Sequence, residues 1–531
     1  MENRVQPNMP GAAALVAVAV CLLLLPWLGE TLFYSKGEPR EAIVAMSILD
    51  SGDWILPVSY GGDIPYKPPF LAWLIAVFAS IFNGGVVNEY VSRLPSALAA
   101  VAMVMGGYAW AKRERGARFA VFFSIVTVCS FEVFRAALAC RVDMLVTSCM
   151  VGAIYIMYYI REHSPRFKGL WYLASILLLA CATMTKGPVG ALLPCLIIGV
   201  YRLLLRDRFF PTLFKMLGLA VAAFLLPALW YWAAYQRGGA EFYDLMMEEN
   251  IGRLTGTMSY ESHVNPWWYN FMTLAAGLLP WTVLLLVSVS GVKRLIGRPV
   301  TNAALLCVTV VVLVVGFYTI PASKRSVYLL PAYPFICYGI ALILDLRHRS
   351  GAVRFFAWLT ATLAVVAPLA IVALQIYPLP GLVLDSVPWW RYIILAVPFA
   401  SGIAWYVNRH SPSGHICVAI WSMLLAYVAV GMPMVLNPKS DKAVVPQFAE
   451  EEVIYSLGET RFYSLNFYLD DRIRPIASTS DAAELPQGSI LLFEERADTT
   501  GLGSGFTVTR LLDRGADYRH PVNMAKKKQT E

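Results

Sequence analysis

The chain has 531 residues, of which 58% are hydrophobic and only 15% are charged. Soluble domains are about 45–50% apolar and about 25% charged, so this composition excludes an ordinary soluble protein. The formal net charge of +8 gives no case for nucleic-acid binding, because the Lys and Arg residues fall in short loops between apolar runs. The 9 Cys lie almost entirely inside those runs, so neither a disulfide framework nor a Cys metal site is expected.

Thirteen membrane-spanning helices are predicted, because many apolar runs approach the roughly 20 residues needed to cross a hydrocarbon core about 30 Å thick. Most Lys and Arg residues of the short loops fall on one side of these spans, and basic short loops stay in the cytoplasm. The N-terminus is therefore predicted inside, and the long loops 30–93 and 236–269 are predicted outside with the C-terminal tail. The predicted spans are 11–29, 94–111, 119–134, 144–160, 169–184, 188–201, 216–235, 270–290, 302–320, 327–344, 355–375, 391–408 and 416–436.

Within the first long loop, the run FLAWLIAVFASIF at 70–82 is apolar but short for a full crossing. Pro68 and Pro69 precede it, and Pro is well placed at the start of a helix. We therefore predict a helix that lies at the outer face of the bilayer. A span here would move the basic loops to the outside, against the charge rule.

The composition becomes polar from about residue 437. Four short runs there have the character of strands separated by turn residues: EEVIYSL, RFYSLNFYL, GSILLFEE and FTVTRLL. We predict a transmembrane domain over 1–436 and a small mixed α/β domain on the outer face over 437–531. The second domain is predicted to end in a loose basic tail, AKKKQTE.

The outer loops carry the polar groups from which a site could be built. They bring Lys and Arg residues, a few carboxylates and a rim of aromatic residues to the depth of the lipid headgroups. Charged groups at the ends of apolar runs, such as Asp143 and Lys186, tend to face a polar cavity because burying a charge in lipid costs about 2.5–3.5 kcal/mol. Several cations suit a phosphate, and a carboxylate beside them suits a general base. The implied ligand has an anionic head and a lipid tail.

Simpler roles for these residues stay open. Lys67 and Arg93 are also consistent with residues that bracket the interfacial helix and snorkel. Asp143 is equally well placed to cap the helix that follows it. His263 is consistent with either a structural or a ligand-binding role. Three carboxylates are interpreted as solvated loop charges or caps: Glu41, Asp53 and Asp63.

The motifs of these loops, taken in order, resemble those of one superfamily. They are GEPREAIVAMSILDSGDWILP, PYKPPFLAWL, SRLPSALAA, VDML, TKGP, EENIGR, HVNPWW and KRSVYLLPAYP. Over about 20–345 the chain resembles the ArnT-like and protein O-mannosyltransferase-like membrane glycosyltransferases, and RFYSLNFYLDDR resembles the ArnT-like C-terminal domain. The resemblance implies the GT-C fold, an all-α polytopic membrane protein with interfacial helices in a long first outer loop. A small soluble domain on the outer face follows in many members.

The resemblance implies transfer of a sugar from a polyprenyl-phosphate donor to an acceptor at the outer face of the bacterial inner membrane. In ArnT-like enzymes the acceptor is a phosphate of lipid A and the sugar is aminoarabinose. In the mannosyltransferases the acceptor is a Ser or Thr hydroxyl, so a protein acceptor is the alternative to a glycolipid. A lipid-linked sugar transporter or flippase, or a non-catalytic lipid-binding relative, is the alternative of another class. A transporter would need polar residues through the depth of the spans, whereas here they gather at one face.

The family's donor-binding residues have counterparts in this chain. The lysine that grips the donor phosphate corresponds to Lys67, and a second phosphate-binding cation corresponds to Arg253. Asp143 corresponds to the acid that follows the second outer loop. The other donor-phosphate and cavity-lining positions are Lys324, Tyr328, Lys186, His263 and Glu249.

Two departures from the family pattern concern the base and the metal. Gly37 stands where the family usually has its catalytic Asp. Glu38, one residue later, is therefore the candidate base, or this branch works without one. The Glu and His that are linked to a zinc site in ArnT-like enzymes are replaced by Tyr66 and Asn250, so we expect no metal and no other cofactor.

The expected reaction is an inverting displacement at the anomeric carbon of the sugar, with polyprenyl phosphate as the leaving group. The phosphate-binding cations would neutralise the charge that grows on the departing phosphate, because preorganised charge of this kind is usually the largest catalytic contribution. Glu38 would act as the base or orient the acceptor, and Asp143 or Arg40 would hold it in place.

Overall fold

Two parts make up the protein, a bundle of apolar helices and a five-stranded sheet that follows it. The computed structural model describes residues 10–35, 37–64, 67–252, 264–289, 300–449, 453–458, 460–500, 502, 505–513 and 520–528. The helices of the first half are α1 Ala12–Leu24, α2 Gly37–Ser51, α3 Phe70–Phe82, α4 Glu89–Arg115, α5 Ala117–Val128, α6 Phe131–Ala137, α7 Val142–His163, α8 Lys168–Lys186, α9 Val189–Leu204 and α10 Phe209–Met247. Those of the second half are α11 Tyr269–Gly277, α12 Trp281–Val287, α13 Asn302–Thr319, α14 Tyr333–Leu346, α15 Gly351–Ile376, α16 Ala396–Val407, α17 Pro412–Ala426 and α18 Met432–Leu436.

Nine helices of the described part are long and apolar enough to cross a membrane, or eleven if each of two bent pairs is one span. The bent pairs are α5 with α6, at 69°, and α11 with α12, at 103°. Each predicted span coincides with one of these helices or pairs, or with the shorter apolar helices α1 and α9. The chain is therefore a multi-pass membrane protein, and the count of thirteen spans stays a prediction.

Helices α2 and α3 lie in the first long loop and pack against each other. α3 begins directly after Pro69, so the helix predicted over 70–82 is confirmed. α2 ends before Gly52, whose φ of 70° is the left-handed conformation that glycine adopts without steric cost. Apolar residues of both helices, among them Ile43 and Ile75, form one buried cluster. This packing fixes the start of α2 relative to the segment before α3, where the charged residues of the loop lie.

Helix α10 is longer than the predicted span, which ended at residue 235. It continues to Met247 and passes Gly239, where a φ of 56° and a ψ of −140° interrupt the helical geometry. Glycine reaches this conformation because it has no Cβ atom to clash with the backbone. The segment 236–269 therefore begins as a helix, and its place outside the membrane stays a prediction.

The C-terminal sheet mixes parallel and antiparallel pairs. Its elements are β1 Ile454–Leu457, α19 Tyr463–Tyr468, β2 Ile473–Ile476, α20 Thr479–Ala483, β3 Ile490–Glu494, β4 Phe506–Leu512 and β5 Val522–Lys527. The strand order is β2-β1-β3-β5-β4. β1 pairs in parallel with β2 and β3, and β5 pairs antiparallel with β3 and β4.

The predicted mixed α/β character of the C-terminal region is confirmed, but two details of it are wrong. The run RFYSLNFYL contains helix α19 rather than a strand. One buried cluster contains Phe462, Leu465 and Leu469, which are three and four residues apart, as residues on one face of a helix are. The basic tail is not loose over residues 525–527, which belong to β5 and pair with β3 and β4. The domain boundary at residue 437 stays a prediction.

Candidate active site

A cavity of about 500 Å³ lies where α2, the segment before α3, the end of α10 and the C-terminal domain meet. Tyr463 of the C-terminal domain lines one wall of it. The predicted excess of cations is not found, because carboxylates outnumber Lys and Arg among the described residues of the lining. The charged lining residues are Arg40, Glu41, Asp63, Lys67, Glu241, Asp244 and Glu248.

Glu41 lies between two cations, Arg40 and Lys67, which define the basic side of the cavity. Its Oε1 atom is 3.3 Å from Nη2 of Arg40 and 3.9 Å from Nζ of Lys67. The Glu41 side chain is only 14% exposed, so its interpretation as a solvated loop charge is wrong. The Lys67 side chain lines the cavity and is 26% exposed.

Three carboxylates at the end of α10 and just after it define the acidic side of the cavity. Their spacing of three and four residues places them on one helical face. The sequence did not predict this face, because the predicted span 216–235 ends before it. The three- and four-residue spacing of the carboxylates was nevertheless a usable signal of a helix. Carboxylates accept hydrogen bonds from hydroxyl groups, so the acidic side suits a sugar. The three residues are Glu241, Asp244 and Glu248.

Glu38, the predicted base, is buried in an ion pair with Arg93. Its Oε1 atom accepts from Nε of Arg93 at 2.9 Å, and its Oε2 atom accepts from Nη2 at 3.3 Å. The backbone N–H of Cys140 donates to Oε1 at 3.0 Å. Arg93 is 1% exposed and also donates to the carbonyls of Leu28 and Thr31, so the alternative of a snorkelling arginine is wrong.

The buried pair ties the start of α2 to α4 and to the turn before α7. Arg93 holds Glu38 in place, which corrects the expectation that Asp143 or Arg40 does so. The geometry therefore favours a structural role for Glu38 and places Glu41, but not Glu38, among the described residues of the cavity lining.

A second ion pair joins Asp143 and Lys186: the Oδ1 atom of Asp143 is 2.5 Å from the Nζ atom of Lys186. The Lys186 ammonium is also 4.2 Å from the ring centroid of Tyr328, a cation–π contact. Asp143 lies in the first turn of α7, whose N-cap is Arg141, so the alternative of a capping Asp143 is wrong. Among the described residues, neither Asp143 nor Lys186 lines the cavity that holds Glu41 and Lys67.

Lys324 is bonded to the backbone of two neighbouring segments. Its Nζ atom donates to the carbonyls of Pro321 at 2.7 Å, Asn265 at 3.0 Å and Ala322 at 3.5 Å. An ammonium group has three N–H donors, so these carbonyls account for all of them. Lys324 is 5% exposed, and this geometry favours a structural role over the predicted binding of the donor phosphate.

Comparisons with known proteins agree with this architecture. A family model described as dolichyl-phosphate-mannose-protein mannosyltransferase matches residues 66–232. An undecaprenyl phosphate-alpha-4-amino-4-deoxy-L-arabinose arabinosyl transferase of Pectobacterium carotovorum is 26% identical over 537 residues, covering 98% of this chain and 91% of that protein. An uncharacterized protein of Aquifex aeolicus is 30% identical over 333 residues, covering 59% of this chain and 68% of that protein. The chain belongs to the ArnT-like family of membrane glycosyltransferases.

The ArnT-like fold extends over almost the whole chain. The crystal structure of ArnT from Cupriavidus metallidurans bound to undecaprenyl phosphate matches with a TM-score of 0.73 at 20% identity, covering 98% of each chain. This likeness confirms the predicted GT-C fold. The predicted class of enzyme, a glycosyltransferase, is confirmed by the relatives that are arabinosyl transferases.

Several residues expected in an ArnT-like site lie outside the described part of the chain. The expectation that no metal binds depends on two of them, Tyr66 and Asn250, and so stays a prediction. Glu249 is described: it lies half-buried in the π-helical turn that follows α10. Four of the expected residues lie wholly or partly outside the described residues: Arg253, His263, Tyr66 and the side chain of Asn250.

Proposed function

We propose that this ArnT-like protein moves a sugar from a polyprenyl phosphate to an acceptor at the outer face of the bacterial inner membrane. The observation that carries the proposal is the arrangement of Lys67 and Arg40 around the Glu41 carboxylate in the cavity. Lys67 comes just before the apolar helix α3, so a phosphate bound there would stand beside an apolar surface for its prenyl chain. The Pectobacterium relative is named for undecaprenyl phosphate, which supports this donor class.

The proposed reaction is a single displacement at the anomeric carbon. An acceptor oxygen forms a bond to this carbon on one face while the bond from the carbon to the phosphate oxygen breaks on the other. The bonding electrons leave with the polyprenyl phosphate, and the configuration at the carbon is inverted. Lys67 and Arg40 would offset the negative charge that grows on the leaving phosphate.

We assign the role of base to Glu41 in place of Glu38. Glu41 lines the cavity between two cations, whereas both oxygens of Glu38 are occupied by buried partners. With a hydroxyl acceptor, Glu41 would take the proton that the oxygen loses. With a phosphate acceptor no proton has to be removed, and Glu41 would act by positioning the reactants.

The acidic side of the cavity is assigned to the sugar. Its carboxylates would accept hydrogen bonds from sugar hydroxyls and would attract a cationic amino group. The Pectobacterium relative is named for an amino sugar, which makes an amino sugar our first choice. The resemblance to ArnT-like enzymes makes a glycolipid phosphate our first choice of acceptor. A Ser or Thr hydroxyl is the alternative acceptor, favoured by the description of the family model that matches residues 66–232.

The proposed orientation follows from the basic residues of the short loops. These loops stay in the cytoplasm, which places the N-terminus inside and the cavity with the C-terminal domain in the periplasm. A periplasmic site would take its sugar from a lipid-linked donor, in agreement with the phosphate-binding chemistry of the basic side.

The test uses the full-length protein in proteoliposomes. Donors are polyprenyl phosphate-linked aminoarabinose and polyprenyl phosphate-linked mannose, and acceptors are lipid A and a Ser/Thr peptide. We expect one donor–acceptor pair to support transfer and Lys67→Ala to lower its rate about 100-fold or more. The matched control is Lys215→Ala, which removes a lysine of α10 that lies over the ring of Tyr172 and should leave the rate unchanged.

Three other outcomes would each contradict a different part of the proposal. Transfer by Lys67→Ala at the wild-type rate would remove Lys67 from the site. Movement of the donor across the bilayer without transfer would identify a transporter. Binding of polyprenyl phosphate without transfer to any acceptor would identify a non-catalytic relative.

A further inference from the structure

The C-terminal domain encloses a short hairpin of the first long loop, residues 59–63, which we call the Tyr60 hairpin. Ser59 and Asp63 pair across it, with N–H to carbonyl distances of 3.0 and 2.7 Å. Tyr60 has a φ of 53°, in the left-handed region that residues with a large side chain rarely adopt. Such a backbone persists only where its surroundings hold it.

Tyr60 is a core residue of the C-terminal domain although it belongs to the first loop. It is fully buried, in a cluster that includes Ile454 and Phe462. Its hydroxyl oxygen accepts a hydrogen bond from the backbone N–H of Phe462 at 2.9 Å. Its own backbone N–H donates to Oδ1 of Asp471 at 3.1 Å. The hairpin therefore cannot move without opening the core of the C-terminal domain.

A two-point ion pair fastens the other end of the Tyr60 hairpin. Arg461 donates from Nε to Oδ2 of Asp63 at 2.8 Å and from Nη2 to Oδ1 at 3.2 Å. The guanidinium group also lies 5.3 Å from the ring centroid of Tyr60 and donates to the carbonyl of Gly458 at 3.1 Å. Asp63 is thus bound across the two domains, which corrects its interpretation as a solvated loop charge. A two-point pair fixes orientation as well as distance.

The Asp63 end of this ion pair reaches the cavity. Asp63 lines it and precedes Lys67, the phosphate-binding lysine, by only four positions. On the far side of Lys67, Pro68 and Pro69 join it to α3 with restricted backbone angles. Lys67 is therefore held between two anchors, the Tyr60 hairpin and the start of α3. The first anchor depends on the C-terminal domain.

We infer that the C-terminal domain is a working part of the active site: Arg461 positions Lys67 through Asp63, and Tyr463 contacts the substrate. Tyr463 lies two positions after Arg461 and lines the same cavity as Lys67 and Glu41. A tyrosine offers a sugar an apolar ring face together with a hydroxyl group. The inference rests on the proposed function and adds to it a positioning residue and a specificity-determining residue from a separate domain.

The positioning role is tested with Asp63→Asn, Arg461→Gln and the double variant in the transfer assay. We expect each single variant to lower kcat about 10- to 100-fold, because a displacement of about 1 Å at a catalytic group can cost 100-fold. The double variant should be no worse than the singles, since both act through one pair. The matched control is Arg510→Gln, which breaks exposed pairs with Glu495 and Asp513 inside the same domain and should keep wild-type kcat.

The substrate contact is tested with Tyr463→Leu, against Tyr455→Leu as the control from β1 of the same domain. We expect Tyr463→Leu to raise the KM for donor or acceptor about tenfold, the equivalent of about 1.4 kcal/mol. Thermal unfolding of every variant is followed in parallel, so that kinetic changes are taken only from protein that is folded at the assay temperature.

The outcomes separate this inference from the proposed function. If Lys67→Ala abolishes transfer while Arg461→Gln and Tyr463→Leu behave like their controls, the inference is overturned and the proposed function stands. If the wild-type protein transfers no sugar, the proposed function fails. In that case the positioning role is tested by measuring the binding of polyprenyl phosphate with native mass spectrometry. Arg461→Gln should weaken this binding as Lys67→Ala does. Unchanged binding by Arg461→Gln would then overturn the positioning role.

Discussion

The guanidinium group of Arg141 lies over Gly37, with its Cζ atom 2.5 Å from the point where a Cβ atom of residue 37 would stand. Non-bonded carbon atoms pack at about 3.5–4.0 Å, so any side chain at this position would force Arg141 to move. Gly37 is also the position at which the resemblance gives the family an aspartate. In this protein the guanidinium group of Arg141 therefore occupies the space that the side chain of that aspartate would need.

We predict that Gly37→Ala lowers the rate of sugar transfer about tenfold, below the roughly 100-fold loss that a 1 Å displacement of a catalytic group can cause. The reason is that the Cβ atom of alanine would displace the guanidinium group of Arg141 from its place at the start of α2, the helix that carries Glu41. Steady-state transfer kinetics check the expected loss. Arg141→Ala alone shows what the cation contributes, and adding Gly37→Ala to it should cost nothing more. A further loss in that double variant would contradict the coupling.

Glu38→Gln should act on stability. It leaves the Arg93 guanidinium buried without its counter-charge, and breaking one partner of a buried ion pair costs about 3–5 kcal/mol. A lower unfolding temperature and a lower yield of folded protein from the membrane are the expected measurements.

Glu41→Gln is the matched comparison for Glu38→Gln. Its partners Arg40 and Lys67 are partly exposed, so the expected loss of stability is below about 1 kcal/mol. Transfer to a hydroxyl acceptor should nevertheless collapse. A Glu38→Gln variant with native stability and no activity would return the role of base to Glu38.

Lys324→Met should destabilise the protein without changing its affinity for polyprenyl phosphate. The substitution removes the donor to three backbone carbonyls, and a buried acceptor left without a partner costs about 1–3 kcal/mol. Unfolding curves and lipid binding by the folded fraction are measured together. Lys67→Met should show the opposite pattern, with native stability and weakened binding. Loss of lipid affinity in stable Lys324→Met would restore its predicted role at the phosphate.

Tyr60→Phe should weaken the attachment of the first loop to the C-terminal domain. It keeps the buried ring but removes the hydroxyl group that accepts from the backbone N–H of Phe462, and one such hydrogen bond contributes about 0.5–1.5 kcal/mol. Hydrogen exchange should then speed up at Phe462 and in the Tyr60 hairpin, with Tyr455→Phe as the control. Unchanged exchange at Phe462 would show that the hydroxyl group contributes nothing to this attachment.

The sequence predicted those helices whose residues are mostly apolar. The run at 70–82 was predicted from its apolarity and the two prolines before it, and α3 has those bounds. The continuation of α10 beyond residue 235 could not be recognised from hydropathy, because its last turns carry Glu241 and Asp244. The helix in RFYSLNFYL was missed because aromatic residues favour strands, and only burial showed the helical spacing.

The site was harder to predict because burial and pairing decide the role of a charge. Arg93 at the end of an apolar run was consistent with snorkelling, and nothing local indicated that Glu38 would meet it inside the protein. Asp63 gave no signal of its own either, since its partner Arg461 lies in another domain. Lys67 was predicted to bind the donor phosphate because it belongs to a motif that carries the resemblance, PYKPPFLAWL. The pairing of Asp143 with Lys186 was not predicted, although both residues were predicted to face a polar cavity.

The Asp63–Arg461 ion pair also has a consequence for the synthesis of the protein, because its partners are 398 positions apart in the chain. At about 5–20 residues per second, the ribosome needs about 20–80 seconds to make the intervening chain. Throughout that interval the membrane helices can insert, but Tyr60 has no core to enter and Lys67 lacks one of its anchors. Insertion into the bilayer and acquisition of a working site are therefore separate events, and the second waits for the C-terminal domain to fold around Tyr60.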